Sequence, residues 1–177
     1  METQNFKIAP AQSNVDWIGR KVTGAHNGTI AIKEGKLSFN NNLLTGGSII
    51  IDTRSINILD VTDPATNAQF AGHLASDDFF STEKFPDAIL EITSVNQLSA
   101  INYQVLANLT IKDITHPIEF VLEIMLNPDS LNASAKVIID RTKYNMKFRS
   151  GNFFTNLGDT LIYNEFELNV NIHAAVS

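Results

Sequence analysis

Apolar and polar residues alternate with a period of two over most of this chain, and this alternation is the strongest constraint on its fold. Between positions 165 and 173 every even-numbered residue is apolar, from Phe166 to Ile172, and every odd-numbered residue is polar. Such alternation is typical of half-buried β-strands. It predicts strands at 14–22, 26–33, 36–41, 47–54, 88–97, 102–112, 116–126, 132–140 and 165–173.

Turn signals separate these segments, at positions 33–35, 45–47 and 127–130. Short connections between alternating strands favour antiparallel hairpins over a parallel sheet with crossover helices. Eight or more such strands usually close into a barrel or split into a sandwich. The chain shows no internal repeat and no linker, so we predict a single all-β domain over residues 1–177.

One segment interrupts the strands with a helical pattern. Asp63 suits the N-cap of a helix and the next residue is proline, which favours the first helical position. Phe70 and Leu74 lie four residues apart and would share one face. We predict a helix over 64–75, followed by a short turn over 76–80. Inserted between strands, this stretch would cover one open end of a barrel.

The composition of the 177 residues excludes several classes of protein. Hydrophobic residues make up 44% of the chain and charged residues 18%, which excludes a disordered protein. No apolar run approaches the roughly 20 residues of a membrane-spanning helix, so stable membrane insertion is not expected. Cysteine is absent, which excludes disulfide frameworks, thiolate metal sites and cysteine nucleophiles.

Charge and the N-terminal residues bear on partners and on compartment. The net charge of −6 argues against nucleic acid or an anionic membrane as the main partner. The first residues, from Met1 to Lys7, lack the basic and apolar regions of a secretory signal. We therefore expect a cytoplasmic protein, or a periplasmic one if the sequence begins at a mature terminus.

Four histidines are the residues from which catalysis or metal binding could be built. Their spacing matches no metal-binding pair, and no zinc-protease, serine-hydrolase or nucleotide-phosphate motif is present. No metal and no cofactor is therefore predicted. We interpret His116, which precedes a proline, as a loop residue, and His173 as an exposed residue on the polar face of the last strand.

The other two histidines keep a functional interpretation beside the structural one. His26 has a glycine two positions away on either side, and glycine-flanked polar residues often mark a ligand mouth. His73 lies near Asp77 and Asp78, and such a pair could act in catalysis or metal binding. Helix capping and solvation explain the two aspartates more simply.

Phenylalanines cluster around the helical segment and near position 150. They are Phe70, Phe79, Phe80, Phe85, Phe148, Phe153 and Phe154. Each could simply fill the core, and for any single residue that interpretation is favoured. Together they could instead gate and line an elongated apolar cavity.

A run of basic residues lies between positions 141 and 149, in an otherwise acidic protein. It contains Arg141, Lys143, Lys147 and Arg149, and no acidic residue. The simplest interpretation is a solvated loop. The functional interpretation is a site for an anionic or strongly polar headgroup at a cavity mouth.

Several ordered blocks of sequence span nearly the whole chain. They are Trp17 to Ile30, Gly46 to Ile56, His73 to Pro86, Leu109 to Lys112, Ile139 to Tyr144, and Ser150 to Asp159. In this order they resemble the YceI-like, polyisoprenoid-binding family. The block that begins at His73 and the block that begins at Ile139 are the most specific. The sequence departs from the family pattern at Asn145, where glycine is expected, although asparagine tolerates a left-handed backbone.

The resemblance implies an extended antiparallel β-barrel of lipocalin-like shape. It also implies a long-chain isoprenoid held inside that barrel, such as a polyprenyl phosphate or an isoprenoid quinone. The family is not known for an enzymatic reaction, so the expected role is non-catalytic carriage or sequestration. Members often form dimers, which makes a homodimer one expected state.

Face alternation and the helical segment together give a set of candidate lipid-binding residues. They are Trp17, Ile30, Phe39, Ile51, Phe70, Leu74, Phe79, Phe80, Ile92, Tyr103, Val105, Phe120, Leu122, Phe166 and Leu168. The candidates for contact with a headgroup are His26, Arg141, Lys143 and Arg149. A strand register shifted by one residue would exchange the two faces.

Two alternatives to a lipid carrier remain open from the sequence. The first is a barrel enzyme that acts on a small hydrophobic substrate, with His26 or a His73–Asp77 pair as the acid and base. It requires one of those histidines to face the cavity beside a carboxylate. The second is an interaction module with a solid core, which requires that the barrel has no internal cavity.

Overall fold

Antiparallel pairing between successive strands organises the chain. The structure, a computed structural model, describes residues 3–151 and 161–177. Its elements are β1 (Thr3–Ile8), β2 (Asn14–Lys21), β3 (Gly24–Asn40), β4 (Leu43–Ile58), α1 (Pro64–Ala75), β5 (Asp87–Gln97), β6 (Asn102–Ile111), β7 (Ile114–Leu126), β8 (Ser130–Asp140) and β9 (Ile162–Val176). Short 3-10 turns lie at Pro10–Gln12 and Arg141–Tyr144.

Within the described residues, eight strand positions close into a barrel. Each strand from β2 to β9 pairs antiparallel with the next, and β9 returns to pair with β2. β1 pairs with the far ends of β3 and β9, so β1 and β2 share one barrel position, interrupted by the turn at Pro10–Gln12. Closure pairs the edges that an open sheet would expose. The predicted all-β, lipocalin-like barrel is confirmed.

The strands are longer than the alternation predicted, because two predicted turns lie inside strands. Positions 33–35 form a register shift within the β3–β4 pairing, and positions 45–47 belong to β4. The hairpin turn lies instead at Asn41 and Asn42, whose φ angles of 52° and 64° are both left-handed. Asparagine tolerates that conformation, which a two-residue hairpin requires. A register shift absorbs an extra residue without ending the strand pair.

Two further differences concern strand ends. β1 was not predicted, since Phe6 and Ile8 alone supply its buried face. β7 begins at Ile114, so His116 is a strand residue opposite Leu109 and the prediction of a loop is wrong.

The helix prediction is confirmed: α1 spans Pro64–Ala75. The Asp63 carboxylate accepts hydrogen bonds from Thr66 N at 2.9 Å and from Thr66 Oγ1 at 2.6 Å, which satisfies the open first turn. The Asn67 side chain donates to the carbonyl of Ile58, the last residue of β4, and to that of Val61 in the connection, which fixes the helix to the end of β4. None of the helices in the described residues is long and apolar enough to cross a membrane.

The two ends of the barrel are filled differently. At the end that holds the β3–β4, β5–β6 and β7–β8 turns, the inward side chains are almost fully buried, and the rings of Phe6 and Phe39 pack edge to face at 5.2 Å. We call this layer the floor; it includes Phe6, Leu37, Phe39, Tyr103, Val105, Ile124 and Leu131. Toward α1, inward residues such as Ile30, Ile92 and Phe120 are only partly buried. An inward side chain that remains partly exposed borders an empty space, so the barrel is hollow above the floor.

Close packing of β3 against β2 and β4 leads to a stability prediction at Gly28. A Cβ atom at this position would overlap the carbonyl oxygen of Asn57 and would lie 2.6 Å from the Trp17 ring. We expect Gly28→Ala to lower the free energy of unfolding by about 1–3 kcal/mol, as overpacked sites do. Urea denaturation measures the change. Gly46→Ala is the control, since its Cβ would meet nothing within 4 Å; equal losses in both variants would contradict the prediction.

Candidate functional site

A cavity of about 450 Å³ occupies the barrel above the floor. This volume lies within the range of small-molecule sites, roughly 300–1,000 Å³. The inward faces of the strands form its wall, and Phe70 and Leu74 of α1 border it together with Phe79 and Phe80 from the segment that follows the helix. The cavity contradicts the interpretation of the chain as a barrel with a solid core.

Most of the predicted lining residues border this cavity. They are Trp17, Ile30, Ile51, Phe70, Leu74, Phe79, Phe80, Ile92, Phe120, Leu122, Phe166 and Leu168. The early strands therefore have the register that the alternation predicted. Contact of these side chains with a ligand stays a prediction.

Three predicted lining residues require a correction, because they do not border the cavity. Phe39, Tyr103 and Val105 face inward, as predicted, but they are packed into the floor with exposed fractions of 1%, 4% and 0%. Alternation fixes which face of a strand points inward; it does not fix the height in the barrel at which a side chain lies.

Other wall residues were missed by the selection. Leu109, Ile118, Val137 and Val170 border the cavity, and the same alternation already placed them on inward faces. Met146 also borders it, from the loop after β8, where no periodic pattern could reveal it. Phe148 borders the cavity from the same loop, and the clustering of phenylalanines had pointed to it. Phe153 and Phe154 lie outside the described residues.

One side of the cavity mouth is built from aromatic rings in edge-to-face contact and from guanidinium groups. The His73 ring lies 5.1 Å from the Phe79 ring and 4.6 Å from the Phe148 ring, edge to face in both cases. The guanidinium carbon of Arg141 lies 5.8 Å from the centre of the Phe79 ring, and that of Arg149 lies 4.9 Å from the centre of the Phe148 ring. We call these five residues the mouth cluster.

Arg141 is the buried member of the mouth cluster, with 4% of its surface exposed. Its Nε donates to the carbonyl of Tyr163 at 3.0 Å, its Nη1 to that of Met146 at 2.6 Å and its Nη2 to that of Ile162 at 3.1 Å. Burial lowers the pKa of Arg141 to about 10, an effect that the charge of Asp140 partly opposes. The side chain thus holds the loop after β8 against the start of β9.

A second buried cation, Lys112, lies near the same loops but does not border the cavity. Its Nζ donates to the carbonyls of Asp77 and Asn145 at 2.9 and 3.0 Å. Burial lowers the pKa of Lys112, while the nearby carboxylates of Asp77 and Asp78 act to raise it. Asn145 has a left-handed φ of 60°, so the expected turn forms without glycine.

The predicted headgroup residues fall in different places. His26, Arg141 and Arg149 border the cavity, whereas Lys143 is exposed and does not, which corrects that assignment. Lys143 lies in the 3-10 turn that also holds two buried residues, Arg141 and Tyr144, but its own side chain is exposed. Basic residues that are neighbours in the sequence therefore differ in position: within one short turn, Arg141 borders the cavity and Lys143 faces the solvent.

Each histidine at the cavity is held by an aspartate. His26 Nδ1 lies 2.8 Å from the carboxylate of Asp60, and His73 Nε2 lies 3.0 Å from that of Asp78, not that of Asp77. Partial burial acts to raise the pKa of Asp60, but hydrogen bonds from the Asn27 N–H and from His26 outweigh it and lower that pKa. Both aspartates lie outside the cavity lining.

The described lining offers little for covalent chemistry. It contains no serine, and the hydroxyl of Thr53 already donates to the carbonyl of Phe85 at 2.8 Å. In residues 3–151 and 161–177, no three histidine or acidic side chains come together as a metal-binding group. An apolar wall that ends in aromatic and cationic groups is suited to a ligand with a hydrocarbon body and a polar end.

Comparison with known proteins gives one family. A sequence model described as the YceI-like domain matches residues 6–174. A search of curated proteins finds no match.

Solved structures resemble the barrel over most of its length. BcnA of Burkholderia cenocepacia has a TM-score of 0.74 at 16% identity, over 94% of this chain and 98% of that one. A polyisoprenoid binding domain of Saccharophagus degradans, implicated in plant cell wall breakdown, has a TM-score of 0.71 at 12% identity, over 97% and 98%. A YceI protein of Campylobacter jejuni has a TM-score of 0.58 at 18% identity, over 76% and 73%. At these identities the likeness shows a shared fold.

Proposed function

The chain belongs to the YceI-like family, and from this we propose that it binds a long-chain isoprenoid lipid in its barrel without transforming it. The ligand class is a polyprenyl phosphate or an isoprenoid quinone, which the protein would carry or sequester. The observation that carries the proposal is the apolar cavity above a solid floor, closed on one side of its mouth by aromatic rings and guanidinium groups. A protein of the same fold is described as a polyisoprenoid binding domain, which supports this ligand class.

The hydrocarbon tail would supply most of the binding energy. Burial of each methylene-type carbon contributes about 0.8 kcal/mol, so one five-carbon unit contributes a few kcal/mol before costs. Loss of tail flexibility and of overall motion offsets much of that sum. An apolar wall of Ile, Leu and Phe does not distinguish one isoprenoid from another, so discrimination falls to the polar groups at the mouth.

In this proposal His26, Arg141 and Arg149 face the headgroup, because they border the cavity where its wall ceases to be apolar. Dimer formation and the compartment of the protein stay predictions.

The barrel enzyme remains the alternative, and one observation favours it. His26 and His73 both border the cavity and each has a carboxylate partner, as a histidine base requires. Against it, the carboxylate partners Asp60 and Asp78 lie outside the cavity lining, and the Thr53 hydroxyl of the lining is already committed to a carbonyl oxygen. Both imidazoles also pack edge to face against phenylalanine rings, a role that packing alone explains.

Lipid binding is tested directly on the purified protein. Organic extraction after native purification, followed by mass spectrometry, should yield an isoprenoid. Added geranylgeranyl phosphate or a prenylated quinone at a hundredfold excess over its Kd should raise the Tm by about 5–10 °C. Absence of an extractable lipid, together with no change in Tm for any prenyl compound, would contradict the proposal.

A further inference from the structure

We propose that Arg141 forms an oxyanion site inside the cavity, so that the protein prefers lipids with a phosphate or carboxylate headgroup over neutral ones. This inference rests on the proposed function and makes its ligand class narrower. It names the group that would distinguish a prenyl phosphate or a prenyl carboxylate from an alcohol or a quinone with the same tail.

The first argument is the hydrogen-bond inventory of a buried cation. A guanidinium group has five N–H donors. In the described residues, Arg141 donates three hydrogen bonds, all to neutral backbone carbonyls. No carboxylate in residues 3–151 and 161–177 lies within ion-pair distance of it. Its sequence neighbour Asp140 instead accepts from Thr142 N and Thr142 Oγ1. A buried charge is costly unless it is paired, so this group is suited to an incoming anion.

The second argument is the balance of charge along the cavity. The described lining includes four cationic side chains, those of Arg20, Lys21, Arg141 and Arg149, and one carboxylate, that of Glu165. The whole chain has a net charge of −6, so this excess of cations is local. An excess of one sign of charge at a cavity rim raises the affinity for a ligand group of the opposite sign.

The third argument is the contrast with Lys112. Both cations are buried and both donate to carbonyls of the loops around the mouth. Lys112 has the charges of Asp77 and Asp78 nearby and does not border the cavity. Arg141 borders the cavity, and its planar fork fits the two oxygens of a phosphate or a carboxylate. Lys112 is therefore a purely structural cation, and it supplies a matched control.

The test compares four ligands that share one geranylgeranyl tail: the phosphate, the carboxylic acid, the alcohol and a quinone. Their Kd values are measured with the full chain by tryptophan fluorescence or calorimetry. In the unmodified protein we expect the phosphate and the acid to bind about tenfold or more tightly than the alcohol and the quinone, because a hydrogen bond to a charged group has that effect. A preference for the phosphate over the acid would identify a prenyl phosphate as the source of the anion, and the reverse would identify a prenyl acid.

Three variants then test whether Arg141 causes the preference for charged over neutral ligands. Arg141→Gln should lower the ratio of alcohol Kd to phosphate Kd severalfold, and Arg141→Lys should leave an intermediate ratio. Lys112→Gln should lower stability and keep the ratio of the unmodified protein. Because each ratio is taken within one variant, a general loss of stability does not change it.

Several results would overturn the inference. One is equal affinity for charged and neutral ligands in the unmodified protein. This measurement does not depend on whether any variant folds. Another is an unchanged ratio in Arg141→Gln, or in Arg141→Lys if the glutamine variant does not fold. Loss of the ratio in Lys112→Gln would also contradict a specific role for Arg141. If none of the four ligands binds, the proposed function fails as well, and this outcome differs from all the others.

Discussion

Replacing Ala135 with tryptophan is expected to weaken lipid binding strongly while the barrel remains folded. Ala135 faces the cavity from β8, between Leu122 on β7 and Val170 on β9. An indole at this position would occupy the space that the proposal assigns to the hydrocarbon tail. Since each five-carbon unit contributes a few kcal/mol, exclusion of one unit should weaken binding by about a hundredfold or more.

The matched control is Ala31→Trp. Ala31 lies on β3 but is exposed and does not border the cavity. Its Kd for the same prenyl ligand should equal that of the unmodified protein, and circular dichroism should show the barrel intact in both variants. Full lipid binding by Ala135→Trp would show that the tail lies elsewhere.

The second large effect is expected on stability. Phe39→Ala should lower the free energy of unfolding by about 3–5 kcal/mol, because it removes a fully buried ring that packs against Phe6. Phe120→Ala should cost clearly less, because one side of the Phe120 ring borders the empty cavity and already lacks packing partners. Urea denaturation of both variants measures the difference.

For the same two variants, we expect the loss of lipid affinity to rank in the opposite order to the loss of stability. Phe120→Ala removes part of the proposed tail contact and should raise the Kd, whereas Phe39→Ala, measured where it is folded, should leave the Kd unchanged. If Phe120→Ala destabilised the protein as strongly as Phe39→Ala, the barrel would be packed at both heights and the cavity would not be empty.

The elements of this fold that depend on local sequence could be predicted closely. The cap at Asp63 and the proline after it define the start of α1, and the alternation from Phe166 to Ile172 defines the inward face of β9. The errors fall where two local signals compete. The segment Thr45-Gly46-Gly47 suggested a turn, but the left-handed pair Asn41 and Asn42 makes the hairpin, because closing the β3–β4 ladder satisfies more backbone hydrogen bonds.

The candidate site was predictable in its chemistry and less so in its placement. The sequence indicated aromatic residues and cations near one end of a barrel, and both occur there. It could not distinguish Arg141 from Lys143, because burial depends on how the 3-10 turn packs under Phe79. It paired His73 with Asp77, whereas the turn after α1 brings Asp78 to the imidazole and directs Asp77 to Ser81.

Sequence alone determined which side chains face inward, because the direction of a side chain along a strand alternates with every residue. It also determined where the helix begins and what kind of family the ordered blocks resemble. Only the tertiary structure decided that Phe39 is packed into a floor while Phe120 borders a cavity. The physical reason is that packing density at a given height is set by the side chains contributed by all the strands at that height, and these come from positions far apart in the chain.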